Sequence, residues 1–159
     1  MSVAIRVTTR RFRLRRRRIA QRAQNLLGAA GFAHADLSLS LVGDRAMRRL
    51  NRVHRGRDRA TDVLSFPLYA PAELARVRRE QAGSLLGDIV ISLDTAARQA
   101  RGYEATLDAE IDRLLIHGIL HLLGHDHEAP ADATAMRRHE RRLARAIALP
   151  WPYAASDNG

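Results

Sequence analysis

His117-Gly118-Ile119-Leu120-His121-Leu122-Leu123-Gly124-His125-Asp126-His127 is the stretch from which the rest of the chain can be read. On a helix, His117 and His121 lie one turn apart on one face, so both imidazoles can point at a common centre. Gly124 fits the position just past a helix end, where a left-handed residue turns the chain back and can bring His127 to the same centre. Three neutral imidazoles leave a tetrahedral zinc with one position open to water, the mark of a catalytic rather than a structural site. The spacing is that of the metzincin pattern H-E-x-x-H-x-x-G-x-x-H, except that Gly118 stands where those proteases carry a glutamate base. The plain alternative is a histidine-rich helix end with exposed or carbonyl-bonded imidazoles. The neighbours argue against it. Ile111, Leu114, Leu115, Ile119 and Leu122 fill one face, and Ile116, Leu120 and Leu123 cover much of the rest. A helix apolar nearly all round is buried, and buried imidazoles need partners.

A chain of 159 residues is read as one domain, long enough to build a core without disulfides. It has no cysteine, so metal chemistry falls to imidazole and oxygen ligands, as suits a reducing cytoplasm. No apolar run reaches the ~18 residues of a membrane span, and the N-terminus lacks the apolar core of a secretory signal. Every one of the 27 basic residues is arginine, and the net charge is +10. Residues 1–60 hold 16 arginines against 3 acids, while residues 61–159 hold 11 against 14. That asymmetry points to a polyanion, RNA or DNA, met by the N-terminal part.

Val3 to Thr8 alternates as a half-buried strand. The densest charge comes next, Arg10, Arg11, Arg13 and Arg15 to Arg18, and runs into Ile19, Ala23, Leu26 and Leu27 at helical spacing, with Gly31 closing the helix. Arginines at a helix N-terminus oppose its dipole, so phosphate contact is the reading given to Arg15, Arg16, Arg17 and Arg18. A second strand spans Asp36 to Val42. Asp44 is a natural N-cap for a short helix carrying Ala46, Met47, Leu50 and Val53 on its apolar side. Thr61 to Pro67 reads as a third strand that the proline ends, and residues 69–84 as a mobile loop with one helical turn. Leu85 to Leu93 is a fourth strand, its Ile89-Val90-Ile91 run suited to burial on both faces. Asp94 caps a helix to Arg101, Thr106 caps the histidine helix, and a last helix from Pro130 and Asp132 turns Met136, Leu143 and Ile147 inward. The expected fold is α+β, a single domain over residues 1–150 built on a small four-stranded mixed sheet packed with helices. Residues 151–159 form a loose tail.

Three blocks carry a resemblance to a known family. The histidine stretch resembles the H-G-x-L-H-L-x-G-Y-D-H signature of the bacterial YbeY family, metal-dependent endoribonucleases of ribosomal RNA maturation. Asn51 through Arg55 to Thr61-Asp62-Val63-Leu64-Ser65-Phe66-Pro67 looks like its N-x-x-Y-R…T-D-V-L-S-F-P, and Leu86-Gly87-Asp88-Ile89-Val90-Ile91-Ser92 like its L-G-D-I-x-I-S. The resemblance implies a single-strand-specific, zinc-dependent endoribonuclease of the cytoplasm, acting on the 3′ end of 16S rRNA and in ribosome quality control, with the small ribosomal subunit or its proteins as partners. It also implies one Zn2+ per chain on His117, His121 and His127, with Arg55 as the functional arginine beside the metal. His54 and His125 depart from the pattern, standing where it has an aromatic, and His125 is a possible competing ligand.

Zinc acidifies a bound water and polarises a phosphoryl oxygen, and a guanidinium at Arg55 can meet the growing charge of the phosphate. With glycine at 118, another group must serve as base. Asp126 and His125 are candidates, Asp126 being the better suited to orient a histidine ligand from behind. Three imidazoles would also accept nickel, copper or iron. A zinc peptidase would share the ligand spacing, but the missing glutamate and the basic half count against it. A non-catalytic RNA-binding assembly factor with a structural zinc is the other alternative. With one Trp, three Tyr and three Phe, the chain offers no platform for stacking bases, so RNA binding should rest on phosphates and fall steeply with salt.

Overall fold

A computed structural model of the chain describes residues 2–125 and 130–150. Four strands, β1 (Val3–Val7), β2 (Asp36–Val42), β3 (Val63–Pro67) and β4 (Leu85–Ser92), form one mixed sheet in the order β1-β2-β4-β3. β1, β2 and β4 are parallel, and β3 returns antiparallel along β4 with Ser65 opposite Ile89. Helices α1 (Arg16–Ala29), α2 (Asp44–Arg55), α3 (Leu74–Arg79), α4 (Leu93–Gly102), α5 (Leu107–Leu122) and α6 (Pro130–Ala146) complete the described elements. The α+β, four-stranded expectation holds. Residues 69–84 contain a 3-10 turn at Pro71–Glu73 as well as α3. The tail at 151–159 lies outside the described residues.

Alternation along the strands divides the core between two faces. Leu37, Leu39 and Leu41 of β2 and Ile89 and Ile91 of β4 meet Ile19, Ala23, Leu26 and Leu27 of α1 and the apolar side of α5, with Met136 and Leu143 of α6 and Ile147 just past its end closing over them. On the other face Val42, Leu64 and Val90 meet Met47 of α2. Val53, expected on the apolar side of α2, is 67% exposed. It lies about a third of a turn round from Met47, off the stripe that faces the sheet.

Two caps differ from expectation. β2 and β4 are parallel neighbours with Val42 opposite Ser92, so α2 and α4 start side by side, and each carboxylate reaches across instead of capping its own helix. Asp94 accepts the Asp44 N–H at 2.8 Å. Asp44 accepts the hydroxyls of Ser92 at 2.6 Å and Thr95 at 2.7 Å, with Arg98 at 2.8 Å. Ser92 is the N-cap of α4, and Gly43 precedes α2 with no side-chain cap. Thr106 caps α5 as expected, its side chain accepting the Ala109 N–H.

Candidate active site

α5 is buried over most of its length, which fixes the direction of every side chain it carries. Arg113, His117 and His121, spaced four apart, line a cleft of about 550 Å³ whose other wall is Val63, Ser65 and Pro67 of β3 together with Arg55 and Asp62. His117 is partly buried, whereas His121 at the helix end is exposed; the apolar run therefore buries the helix without burying both imidazoles.

Gly118 faces away from the cleft, toward β4. A Cβ built on it would lie 2.8 Å from Cγ2 and 2.9 Å from Cδ1 of Ile89. No glutamate fits there, because α5 approaches the sheet too closely. Its carbonyl accepts the Ser65 hydroxyl at 3.1 Å, tying α5 to β3 beside the two histidines.

Arg55 ends α2 and reaches the cleft because Ser65 holds it: Nη2 donates to the Ser65 carbonyl at 2.8 Å, and the guanidinium lies 5.4 Å from the Phe66 ring centroid. Its other N–H groups make no hydrogen bond among the described residues and can meet an anion. Ser65 thus positions both Arg55 and α5. His54, one residue earlier, meets the edge of the Phe66 ring at 5.0 Å, and His125 meets His139 of α6 at 4.3 Å. Both departures from the aromatic pattern occupy ring contacts. Burial, with His139, Arg142 and His121 nearby, holds His125 below the usual imidazole pKa.

Past α5 the chain turns as expected, Gly124 adopting φ 86° while the His125 N–H returns to the Leu120 carbonyl at 3.0 Å. Asp126 and His127 lie outside the described residues. Among the described residues no three ligand-type side chains gather. His117 and His121 on one wall are two donors of the kind that suits zinc or a similar borderline cation; the expected third, His127, follows the turn at Gly124 in the sequence.

Groups that sequence reading passed over surround these histidines. Glu140 of α6 comes within 3.8 Å of His117 Nε2, and burial pushes its carboxyl up to about 7 against the pull of Arg113, Arg137 and Arg141. Behind His117, Arg113 bonds the fully buried Glu110 at 2.6 and 2.9 Å, and Gln99 bridges Glu110 to Asp62. Asp62 and Ser65 stand inside the Thr61-to-Pro67 block, and Arg113 one turn before His117, so all three were within reach of the sequence. Glu140 carried no such signal.

The arginine run lies elsewhere. Arg15 pairs with Asp108 at 2.7 Å and Arg18 with Asp112 at 2.8 Å, while Arg16 and Arg17 make no ion pair among the described residues. Asp108 is in the first turn of α5 and His121 in its last, about 20 Å along the helix. Arg15 is therefore at the far end of α5 from His121, while Arg18 meets the helix midway, at Asp112, before His117.

Comparison with known proteins agrees over most of the length. The family model described as Endoribonuclease YbeY matches residues 4–148. The chain is 56% identical over 133 residues to Endoribonuclease YbeY of Anaeromyxobacter sp. (strain Fw109-5), covering 84% of this chain and 65% of that one. With the Aquifex aeolicus (strain VF5) protein of the same name it shares 41% over 124 residues, 77% of this chain and 76% of the other. The chain thus spans just under two thirds of the length of its Anaeromyxobacter relatives. The solution structure of TM1509 from Thermotoga maritima superposes with a TM-score of 0.63 over 98% of this chain and 93% of that one, at 23% identity; the fold is shared. With its blocks in order on this sheet and α5, the chain belongs to the Endoribonuclease YbeY family.

Proposed function

We propose that the chain is a single-strand-specific, zinc-dependent endoribonuclease acting in the cytoplasm on ribosomal RNA, at the 3′ end of 16S rRNA and in ribosome quality control, in contact with the small subunit or its proteins. The observation that carries the reading is the meeting of His117, His121 and Arg55 around one cleft of about 550 Å³ in a chain of this family.

His117 and His121, with His127 as third ligand, would hold the metal, one per chain. When bound, zinc supplies Lewis-acid polarisation of a phosphoryl oxygen and acidifies a water. The protein's own contribution is positional. Arg55, always charged, presents its remaining N–H groups to the phosphate and stabilises the charge that grows on its oxygens in the transition state. The Ser65 carbonyl keeps that guanidinium from swinging into solvent, so little order has to be created when substrate arrives. Glu140 stands behind His117, where a carboxylate steadies an imidazole ligand. The peptidase reading is disfavoured by the packing of Gly118 on Ile89, which leaves no room for the glutamate base.

Cleavage of a single-stranded rRNA fragment by the purified protein and by His121→Ala, with metal assayed on both, tests the reading. The wild type should carry about one zinc and cut, and the variant should lose both. Zinc and RNA binding without cleavage would favour the assembly factor with a structural metal.

A further inference from the structure

A second hollow, of about 410 Å³, opens beside the cleft and shares Arg55 and Leu64 with it. Its lining includes Asn51, Arg57, Arg59 and Thr61 and, among the described residues, holds no carboxylate. Three arginines thus fall at alternate positions of the five-residue turn from Arg55 to Arg59. We propose that Arg57 and Arg59 form a second phosphate subsite, which grips the backbone of single-stranded RNA at a phosphodiester neighbouring the one that faces Arg55. The proposal rests on the RNA reading above and extends it.

The turn is fastened rather than loose. Its backbone leaves α2 at Gly56, whose N–H still bonds the Arg52 carbonyl at 3.1 Å. Asn51, 3% exposed, then meets both arms: its main-chain carbonyl accepts the Arg57 N–H at 3.3 Å, and its side-chain Nδ2 donates to the Arg59 carbonyl at 2.8 Å. The buried amide thus fixes the Arg59 end of the turn and the helix-end carbonyl the Arg57 end, although the side chains of both arginines stay exposed.

The acid of the turn is drawn away from the arginines. Asp58, between Arg57 and Arg59, is bound by Arg48 of α2 at 2.8 and 3.0 Å and approached by Arg52 at 3.9 Å. Arg57 and Arg59 make no ion pair among the described residues, so their charge is not cancelled locally. A hollow with uncancelled guanidinium groups, a hydroxyl, an amide and no carboxylate recognises a phosphate. No aromatic ring among the described residues lines it, so it grips the backbone and carries no base preference.

The test is anisotropy of a labelled single-stranded oligoribonucleotide, titrated over a range of salt, with cleavage measured separately. Arg57→Gln/Arg59→Gln should lower the slope of log K against log salt by about 1.4, two contacts at about 0.7 each. The same charge loss at exposed positions away from the cleft, Arg101→Gln/Arg145→Gln, should leave the slope unchanged. Arg57→Lys/Arg59→Lys should retain it, which separates lost charge from a damaged turn. An unchanged slope in the glutamine pair, or an equal fall in the control pair, overturns the subsite. RNA bound but not cut, with the slope reduced as expected, leaves the subsite standing while the nuclease reading fails. RNA cut normally with an unchanged slope removes the subsite alone, and no RNA binding by the wild type removes both.

Discussion

A methyl group on Gly118 would sit 2.8 Å from Ile89 Cγ2, closer than two carbons tolerate, so α5 or β4 would have to move. Overpacking of this kind costs about 1–3 kcal/mol. Gly118→Ala is therefore expected to lower the urea midpoint with little change in the slope of the transition; a wild-type midpoint would mean that Ile89 moves aside freely. The position separates this chain from the zinc peptidases by packing as well as by chemistry. Where the protease helix presents a base, this helix rests on a strand, and other elements bring carboxylates toward the cleft: Glu140 from α6 and Asp62 from the residues just before β3.

At the scale of elements, the junction of α2 and α4 shows how two parallel strands bring the starts of their next helices together. Ser92, Thr95 and Arg98 all converge on Asp44. Burial alone would raise its carboxyl, but these hydrogen bonds and the arginine outweigh it and hold the pKa below its ordinary 3.8. A carboxylate with a lowered folded pKa stabilises the fold fully above 3.8, and that contribution is lost as pH falls through the lowered value. Asp44→Asn should cost about 1–2 kcal/mol at pH 7, and the gap to wild type should close in strong acid. Denaturant unfolding of both proteins across pH measures this, and a gap that stays constant with pH would show that the carboxylate charge contributes nothing.

Over the whole molecule, the charge asymmetry of the sequence is only partly an asymmetry in space. The basic N-terminal part folds back onto acids of the second half: Arg11 meets Asp94, Arg15 meets Asp108 and Arg18 meets Asp112. Burial raises the Asp112 carboxyl, and Arg18 opposes that with two bonds, at 2.8 and 3.2 Å. Removing only Arg18 takes both close bonds from a carboxylate that is 2% exposed and leaves it Arg22 at 3.8 Å. Arg18→Gln should then destabilise the fold by about 3–5 kcal/mol, whereas Arg18→Leu/Asp112→Leu should recover most of the loss. Thermal unfolding of the three proteins checks this, and a mild single variant would return Arg18 to the set of arginines available to RNA. The basic surface beside the cleft comes instead from the turn at Arg57 and Arg59.

The sequence by itself determined the elements and their periods, because strand alternation, helical spacing and the Thr106 cap are local properties of neighbouring residues. It also placed His117, His121 and the Gly124 turn, which a single helix and its end specify together. Arg55 was legible only through the family-like blocks, since nothing local says that the end of α2 reaches α5. Tertiary structure alone decided the partners. Asp94 came to the start of α2 and Asp44 to the side chains at the start of α4 because β2 and β4 lie side by side, Arg15 and Arg18 turned to acids about 90 residues away in sequence, and Glu140 came to His117 from another helix. In each case the energy belongs to a pair whose members are distant along the chain, and one member carries no mark of the other.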